Sequence, residues 1–230
     1  MHTKRHPSFL RRKLRKIKWT YRRKTWEKRA LPNFLIIGAM KAGTSSLFEY
    51  LQQHPQLIPA FRKEIHFFDE NEKYNRGLPW YRSHFPLHRK LPKGGMTYEA
   101  TPRYLYHPEM AKRIYENLPE VKLIALLRTP TDRAISHYFH DLRYDGMEPQ
   151  PMGQVLREKK GYKRRGLYRK QLTRYLNYFP PDQLLVLNSE SFFQHPDLAV
   201  KRIFNFLGVD SNVKINTNKQ WHVTPNKFVT

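Results

Sequence analysis

The chain has no cysteine. That excludes a disulfide framework and any cysteine-ligated zinc, and it permits a reducing compartment without requiring one. No apolar run approaches the roughly 18 to 20 residues of a membrane-spanning helix, and the N-terminus lacks the apolar core of a signal peptide. On these grounds the expectation is a cytoplasmic protein, either free or peripheral to a membrane. Acidic residues are also scarce: 19 Asp and Glu stand against 43 Lys and Arg, a formal charge of +24. A field of that sign attracts polyanions, whether nucleic acid, anionic lipid or acidic polysaccharide, and does not choose among them.

What is present suffices for one core. Hydrophobic residues make up 39% and aromatics 14% of 230 residues, which predicts one domain and a tail rather than two domains. The tail is residues 1–30, with thirteen Lys and Arg against the single acid Glu27, and the domain is residues 31–230. Leu10, Leu14 and Ile17 recur in the tail at i, i+4 and i+7, the spacing of a basic amphipathic helix. Membrane-surface docking, nucleic-acid contact and a solvated, disordered or domain-packed tail all fit this pattern.

Pro32 and Asn33 punctuate the chain before Phe34-Leu35-Ile36-Ile37, a short apolar run that reads as a fully buried strand. A helix is predicted over Ser45–Gln53, ended by His54-Pro55. Val121–Leu127 and Gln183–Leu187 read as further strands. Helices are predicted over Ala111–Leu118, from Thr131 or Asp132 to about Tyr144, over Leu167–Tyr178, and over Pro196–Leu207 with Gly208 as the stop. Helices alternating with apolar strands predict an α/β fold, a parallel sheet covered by helices on both faces.

Between the first strand and its helix lies GAMKAGTSS, Gly38 to Ser46. Unpaired N–H groups and the positive end of a helix make such a loop an anion site, and small residues let the backbone approach the ligand. A Walker A loop requires GxxxxGK[ST]; here Thr44 follows Gly43 and the lysine stands back at position 41, which disfavours an ordinary nucleotide triphosphatase. The segment Lys63-Glu64-Ile65-His66-Phe67-Phe68-Asp69 sets ionisable groups among apolar ones. A carboxylate partly desolvated there has a raised proton affinity, suited to a general base. The competing reading pairs Glu64 with Lys63 or Arg62 and makes His66 a hydrogen-bonded core residue. Arg128 ends an apolar strand, where a guanidinium needs an anion or the rim. Arg133, one turn before Ser136, reads as a second phosphate contact or a solvated charge. No HExxH or comparable metal-ligand spacing occurs.

Four segments, PNFLIIGAMKAGTSSL, KEIHFFD at 63–69, LLRTPTDRAISHYFH at 126–140 and RGLYRKQLTRYLNYFP at 165–180, occur in an order and spacing that resembles the sulfotransferases dependent on 3′-phosphoadenosine 5′-phosphosulfate (PAPS). The likeness is to the heparan-sulfate-type branch, N- and 3-O-sulfotransferase-like, and its bacterial relatives, from about Asn33 to Gly208. It implies a P-loop-like parallel sheet and sulfuryl transfer from PAPS, with adenosine 3′,5′-bisphosphate as product and no metal. By position, Lys41, Ala42, Gly43, Thr44, Ser45 and Ser46 would hold the 5′-phosphosulfate, and Arg128 and Ser136 the ribose 3′-phosphate. Tyr168 resembles a position near the nucleotide, although its spacing with Leu172 and Tyr175 also fits core. Glu64 would be the catalytic base and Lys41 the stabiliser of the leaving phosphate, with His66, Asp69 and Arg103 toward the acceptor. The implied partners are the nucleotide donor and a glycan acceptor, with no specific nucleic acid. Two departures stand out: Ala100 where animal heparan-sulfate enzymes commonly have lysine, and a stretch after Gly208 that reads as shortened, with only a faint likeness in NKQWHVTPNKF. The alternative from another class is a polyanion-binding protein on the same scaffold, with little or no catalysis.

Overall fold

A computed structural model describes residues 9–144, 148 and 150–219. In chain order the elements are α1 (Phe9–Lys24), β1 (Phe34–Gly38), α2 (Thr44–Leu51), β2 (Leu57–Pro59), α3 (Asn71–Tyr74), α4 (Gly77–Arg82), β3 (Met96–Ala100), α5 (Met110–Asn117) and β4 (Lys122–Leu127). They continue with α6 (Pro130–Tyr144), α7 (Met152–Glu158), α8 (Lys160–Arg164), α9 (Tyr168–Leu176), β5 (Leu184–Asn188), α10 (Ser189–Gln194) and α11 (Pro196–Leu207). The strands form one five-stranded sheet in the order β2-β3-β1-β4-β5, and every pairing in it is parallel. The α/β expectation therefore holds, with five strands where three apolar runs were legible. The NKQWHVTPNKF stretch lies almost wholly outside the described residues.

β1 is central because its sequence has no polar side chain to leave in water: FLIIG is buried at all five positions. A strand buried on both faces needs cover from both sides. Tyr98 of β3 stacks on Phe34 (centroids 4.6 Å apart) and donates its hydroxyl to the Phe48 carbonyl of α2 at 3.0 Å. Its neighbour Glu99 alternates to the opposite face, where Tyr81 of α4 donates to its carboxylate at 2.7 Å.

Glu99 is why the third strand escaped sequence reading. A carboxylate that is 0% exposed interrupts the apolar run MTYEA, and its burial is offset by three hydroxyl donors: Tyr81, Thr101 at 2.8 Å and Tyr104 at 3.1 Å. Burial pushes its pKa up against those donors. β2, three residues long, is too short to show any period.

The tail is helical over α1 and closes onto the domain through its last residues. Arg29, 2% exposed, donates to the Phe85 carbonyl at 2.8 Å, and the Ala30 amide donates to the Pro86 carbonyl at 2.9 Å.

Ile36 sits between Ala100 of β3 and Ile124 of β4 and is fully buried. Ile36→Ala is expected to cost about 2 to 5 kcal/mol of unfolding free energy and Ile36→Val about 1 kcal/mol, read by guanidinium denaturation. A loss under about 1 kcal/mol for the alanine variant would contradict a β1 buried on both faces.

Candidate functional site

In an open parallel sheet ligands bind outside the carboxyl ends of the strands, where neighbouring connections diverge. Every candidate residue except Tyr168, which opens α9, lies in the loop or first helix that follows such an end. β1 leads into the 39–43 loop, β2 into Lys63 and Glu64, β3 into Thr101 and Arg103, β4 into Arg128, and β5 into Ser189 and Glu190.

The loop turns sharply into α2 by way of Lys41 at φ 69° and Gly43 at φ 94°. At Gly43 a Cβ would stand 2.6 Å from the Phe193 ring, so glycine is required there both by conformation and by space. The loop is held from outside by Ser189, which donates to the Ala42 carbonyl at 2.8 Å, and by Arg128, which reaches the Lys41 carbonyl at 3.4 Å. Arg128 is fixed in turn by the Tyr168 hydroxyl, which donates to its carbonyl at 2.8 Å. Tyr168 also packs against the main core, as its spacing with Leu172 and Tyr175 leads one to expect. The ammonium of Lys63 donates to the Ser45 hydroxyl, joining the loop to the segment that carries Glu64. Lys63 stood in a recognised motif, yet its partner lies 18 residues away and nothing local signals it.

Glu64 and His66 both adopt positive φ, 56° and 59°. Such backbone costs of order 1 to 3 kcal/mol per residue and persists only where the surroundings fix it. Two contacts do so: the Glu64 amide donates to the Ala100 carbonyl at 3.0 Å, and the Phe67 amide donates to the Tyr104 hydroxyl at 3.0 Å, which is itself bonded to Glu99. The side chains form a row. Glu64 Oε2 lies 3.6 Å from His66 Nε2, His66 Nδ1 donates to Asp69 at 3.0 Å, and Arg103 Nε is 3.3 Å from the same carboxylate.

The row corrects one expectation. The Glu64 pKa is lowered, because the interaction with His66 outweighs the burial that would raise it, and the side chain is 48% exposed. His66 is pushed up to about 9 by Asp69 first and Glu64 second, and so is an imidazolium at neutral pH. Glu64 pairs with His66, and neither Lys63 nor Arg62 takes that place.

Across the cleft the charge is positive. His137 on α6 is driven down to about 3, first by burial and then by the charges of Arg133, Arg165, His140 and Lys41. His140, on the same helix, contributes to lowering Glu64. α6 therefore spans from the loop lysine to the carboxylate. Arg133 is 0% exposed, which overturns its reading as a solvated charge; one nitrogen donates to the Tyr162 carbonyl. Its Nε and Nη1, Arg165 Nη1 and His137 Nδ1 are buried without a hydrogen-bond partner among the described residues. Ser136, on the same helix, is 7% exposed. His137, His140 and Arg165 went unassigned although all three stand in the motif segments, since their charge environment comes from residues distant in sequence. Among the described residues no group of three or more His, Asp or Glu side chains is placed to hold a metal ion.

Sheet order, glycine loop and helix entry together define a P-loop-like α/β protein with an anion-attracting cleft. A sequence model of the sulfotransferase domain matches residues 31–225, and the chain belongs to that family. It is 35% identical over 207 residues to human heparan sulfate glucosamine 3-O-sulfotransferase 6, covering 87% of this chain and 58% of that one. The crystal structure of a sulfotransferase from Alicyclobacillus acidocaldarius superposes with a TM-score of 0.70 at 30% identity, covering 84% of this chain and 87% of the other. Mouse sulfotransferase SULT7A1, crystallised with PAP, shares the fold at a TM-score of 0.54 and 16% identity, over 86% of this chain and 66% of its own. The chain spans about half the length of the curated relatives it matches.

His66 is expected to titrate at about 9 by NMR of its ring carbons, and Asp69→Asn to bring that value down. Its folded pKa lies above the unfolded 6.5, so its stabilising contribution is full below pH 6.5 and is lost as pH rises through about 9. Titration near 6.5 in the folded protein would remove the Glu64-His66-Asp69 row from the account.

Proposed function

We propose that the chain moves the sulfuryl group of PAPS to a hydroxyl or amino group of an acidic carbohydrate. The observation that carries this reading is the pairing, across one cleft, of a Glu64 carboxylate held ionised by His66 with a loop and helix surface that bears Lys41, Arg133 and Arg165, where His137 is held down to about 3 by burial first and by those cations second. The family supports sulfuryl transfer, a heparan-sulfate-named relative supports a glycan acceptor, and a neighbour crystallised with PAP supports a nucleotide donor.

The residues present fit such a donor. The turn at Gly43 into the first turn of α2, and guanidinium nitrogens of Arg133 and Arg165 buried without a hydrogen-bond partner among the described residues, suit an anion. When bound, the nucleotide supplies an activated sulfuryl group on a phosphate leaving group. The amides of Gly43 to Ser46 and the Lys41 ammonium hold the 5′ end and offset the negative charge that grows there, while the Ala42 amide is taken by the Ala39 carbonyl at 3.1 Å. Arg128 and Ser136 hold the ribose 3′-phosphate, and Tyr168 keeps Arg128 in place. Glu64 takes the proton of the acceptor O–H or N–H as its lone pair forms the new bond to sulfur and the old S–O bond to phosphate breaks. Asp69 holds His66 as an imidazolium, which keeps Glu64 ionised until the acceptor arrives. Arg103, 45% exposed beyond Asp69, is positioned to meet an acidic acceptor.

Calorimetry with adenosine 3′,5′-bisphosphate is expected to give micromolar binding, about −8 kcal/mol, weakened at least about tenfold in Lys41→Ala and in Arg128→Ala. Glu64→Gln is expected to keep that binding and to lose sulfate transfer to a heparan-type glycan; retained transfer would take the base role from Glu64. A folded chain that fails to bind the bisphosphate contradicts the enzyme reading. Heparin binding that weakens steeply with salt would then mark a polyanion-binding protein on this scaffold.

A further inference from the structure

α1 is poorly explained by the domain it leads into. Its sixteen residues, FLRRKLRKIKWTYRRK, contain nine Lys and Arg and no acid. Neighbours three or four apart, such as Lys13 with Lys16 and Lys18 with Arg22, carry like charges, and such pairs oppose helix formation. Between Lys13 and Lys24, among the residues whose side chains are described, only Trp19 and Arg22 are partly covered. Trp19 packs its ring on His84, with centroids 4.8 Å apart, and the Arg22 guanidinium stacks 3.4 Å from the Phe61 ring.

The opposite side of the helix is apolar and open. At 100° per residue Leu14, Ile17 and Tyr21 fall within about 60° of one another, roughly opposite Trp19. They are 56%, 57% and 51% exposed. Lys18 flanks this stripe on one side and Lys13 and Lys24 on the other, all exposed. Two demands are thus left unmet by the chain itself: anions to relieve the lysines and arginines, and an apolar phase for the stripe. A polysaccharide or nucleic acid meets only the first. An anionic lipid surface meets both, because headgroup phosphates sit beside the acyl boundary in which Leu, Ile and Tyr side chains dissolve.

We infer that α1 is a docking helix for anionic membrane surfaces, lying in the interface with Leu14, Ile17 and Tyr21 turned into the lipid. Trp19, Arg22 and the buried Arg29 fasten it to the domain, so the domain is held at the surface with it. The contact reaches toward the candidate site, since Phe61 under Arg22 stands three residues before Glu64 and its amide donates to the His84 carbonyl at 2.9 Å. Among the described residues no helix is long and apolar enough to cross a membrane.

The test is co-sedimentation of the full chain with phosphatidylcholine vesicles, with and without about 30 mol% phosphatidylglycerol, at about 0.15 M salt. The expected result is binding at least about tenfold tighter to the anionic vesicles, and a loss of about tenfold when Leu14→Ser and Ile17→Ser are combined at unchanged charge. Both positions are exposed, so the double variant is expected to keep the parental circular dichroism and melting temperature. Its elution from heparin should also be unchanged. Vesicle binding indifferent to the double substitution would overturn the proposal, as would binding to heparin or duplex DNA with none to anionic vesicles.

Discussion

The register of β1 between its two neighbours is the constraint from which the rest follows. Phe34 lies opposite Tyr98 on one side and Lys122 on the other, and Ile36 opposite Ala100 and Ile124, with every strand running the same way. Parallel pairing of this kind ends all the strands at one edge, so the glycine loop, the Glu64 segment, Arg103, Arg128 and Ser189 are delivered to one cleft without any local sequence instruction to meet. A slip of one residue in β1 would move Phe34 off Tyr98 and exchange the faces covered by α2 and α4.

That edge concentrates charge of both signs in separate rows. Glu64, His66, Asp69 and Arg103 alternate in sign and neutralise one another, and the strained backbone at positions 64 and 66 is held by the hydroxyl network around buried Glu99. In the facing row Lys41, Arg133, His137 and Arg165 outnumber a single carboxylate, Asp141, whose Oδ1 lies 3.4 Å from His137 Nε2. The cost shows in His137, lowered first by burial and then by these cations, and in guanidinium nitrogens of Arg133 and Arg165 without a hydrogen-bond partner among the described residues. A fold retains unsatisfied buried donors where something other than its own stability requires them. In the proposed function a phosphate-bearing donor supplies that requirement, and sulfotransferase family membership is its chemical context.

Much of the frame was legible because it is written in contiguous residues. FLIIG, KLIALL and LLVLN are apolar runs bounded by turn residues, and GAMKAGTSS marks a strand-to-helix turn by glycine spacing. What escaped depends on partners far apart in sequence. β3 hides behind Glu99, whose burial is intelligible only once Tyr81 and Tyr104 are known to surround it. The direction of the Glu64 shift reversed for a related reason: sequence shows apolar neighbours, which raise a carboxyl pKa, while the positive φ at 64 and 66 brings His66 to its side and lowers it. Arg133 resembles any surface arginine on a helix until Tyr162 closes over it. Lys63 and Ser45, eighteen residues apart, meet only through the sheet.

A crystal structure of the full chain with adenosine 3′,5′-bisphosphate tests the central claim most directly. The account predicts the 5′-phosphate at the N-terminus of α2, within hydrogen-bond distance of Lys41 and the amides of Gly43 to Ser46, and the 3′-phosphate on Arg128 and Ser136. A nucleotide bound anywhere else on the domain, with the loop and Arg128 untouched, would contradict it.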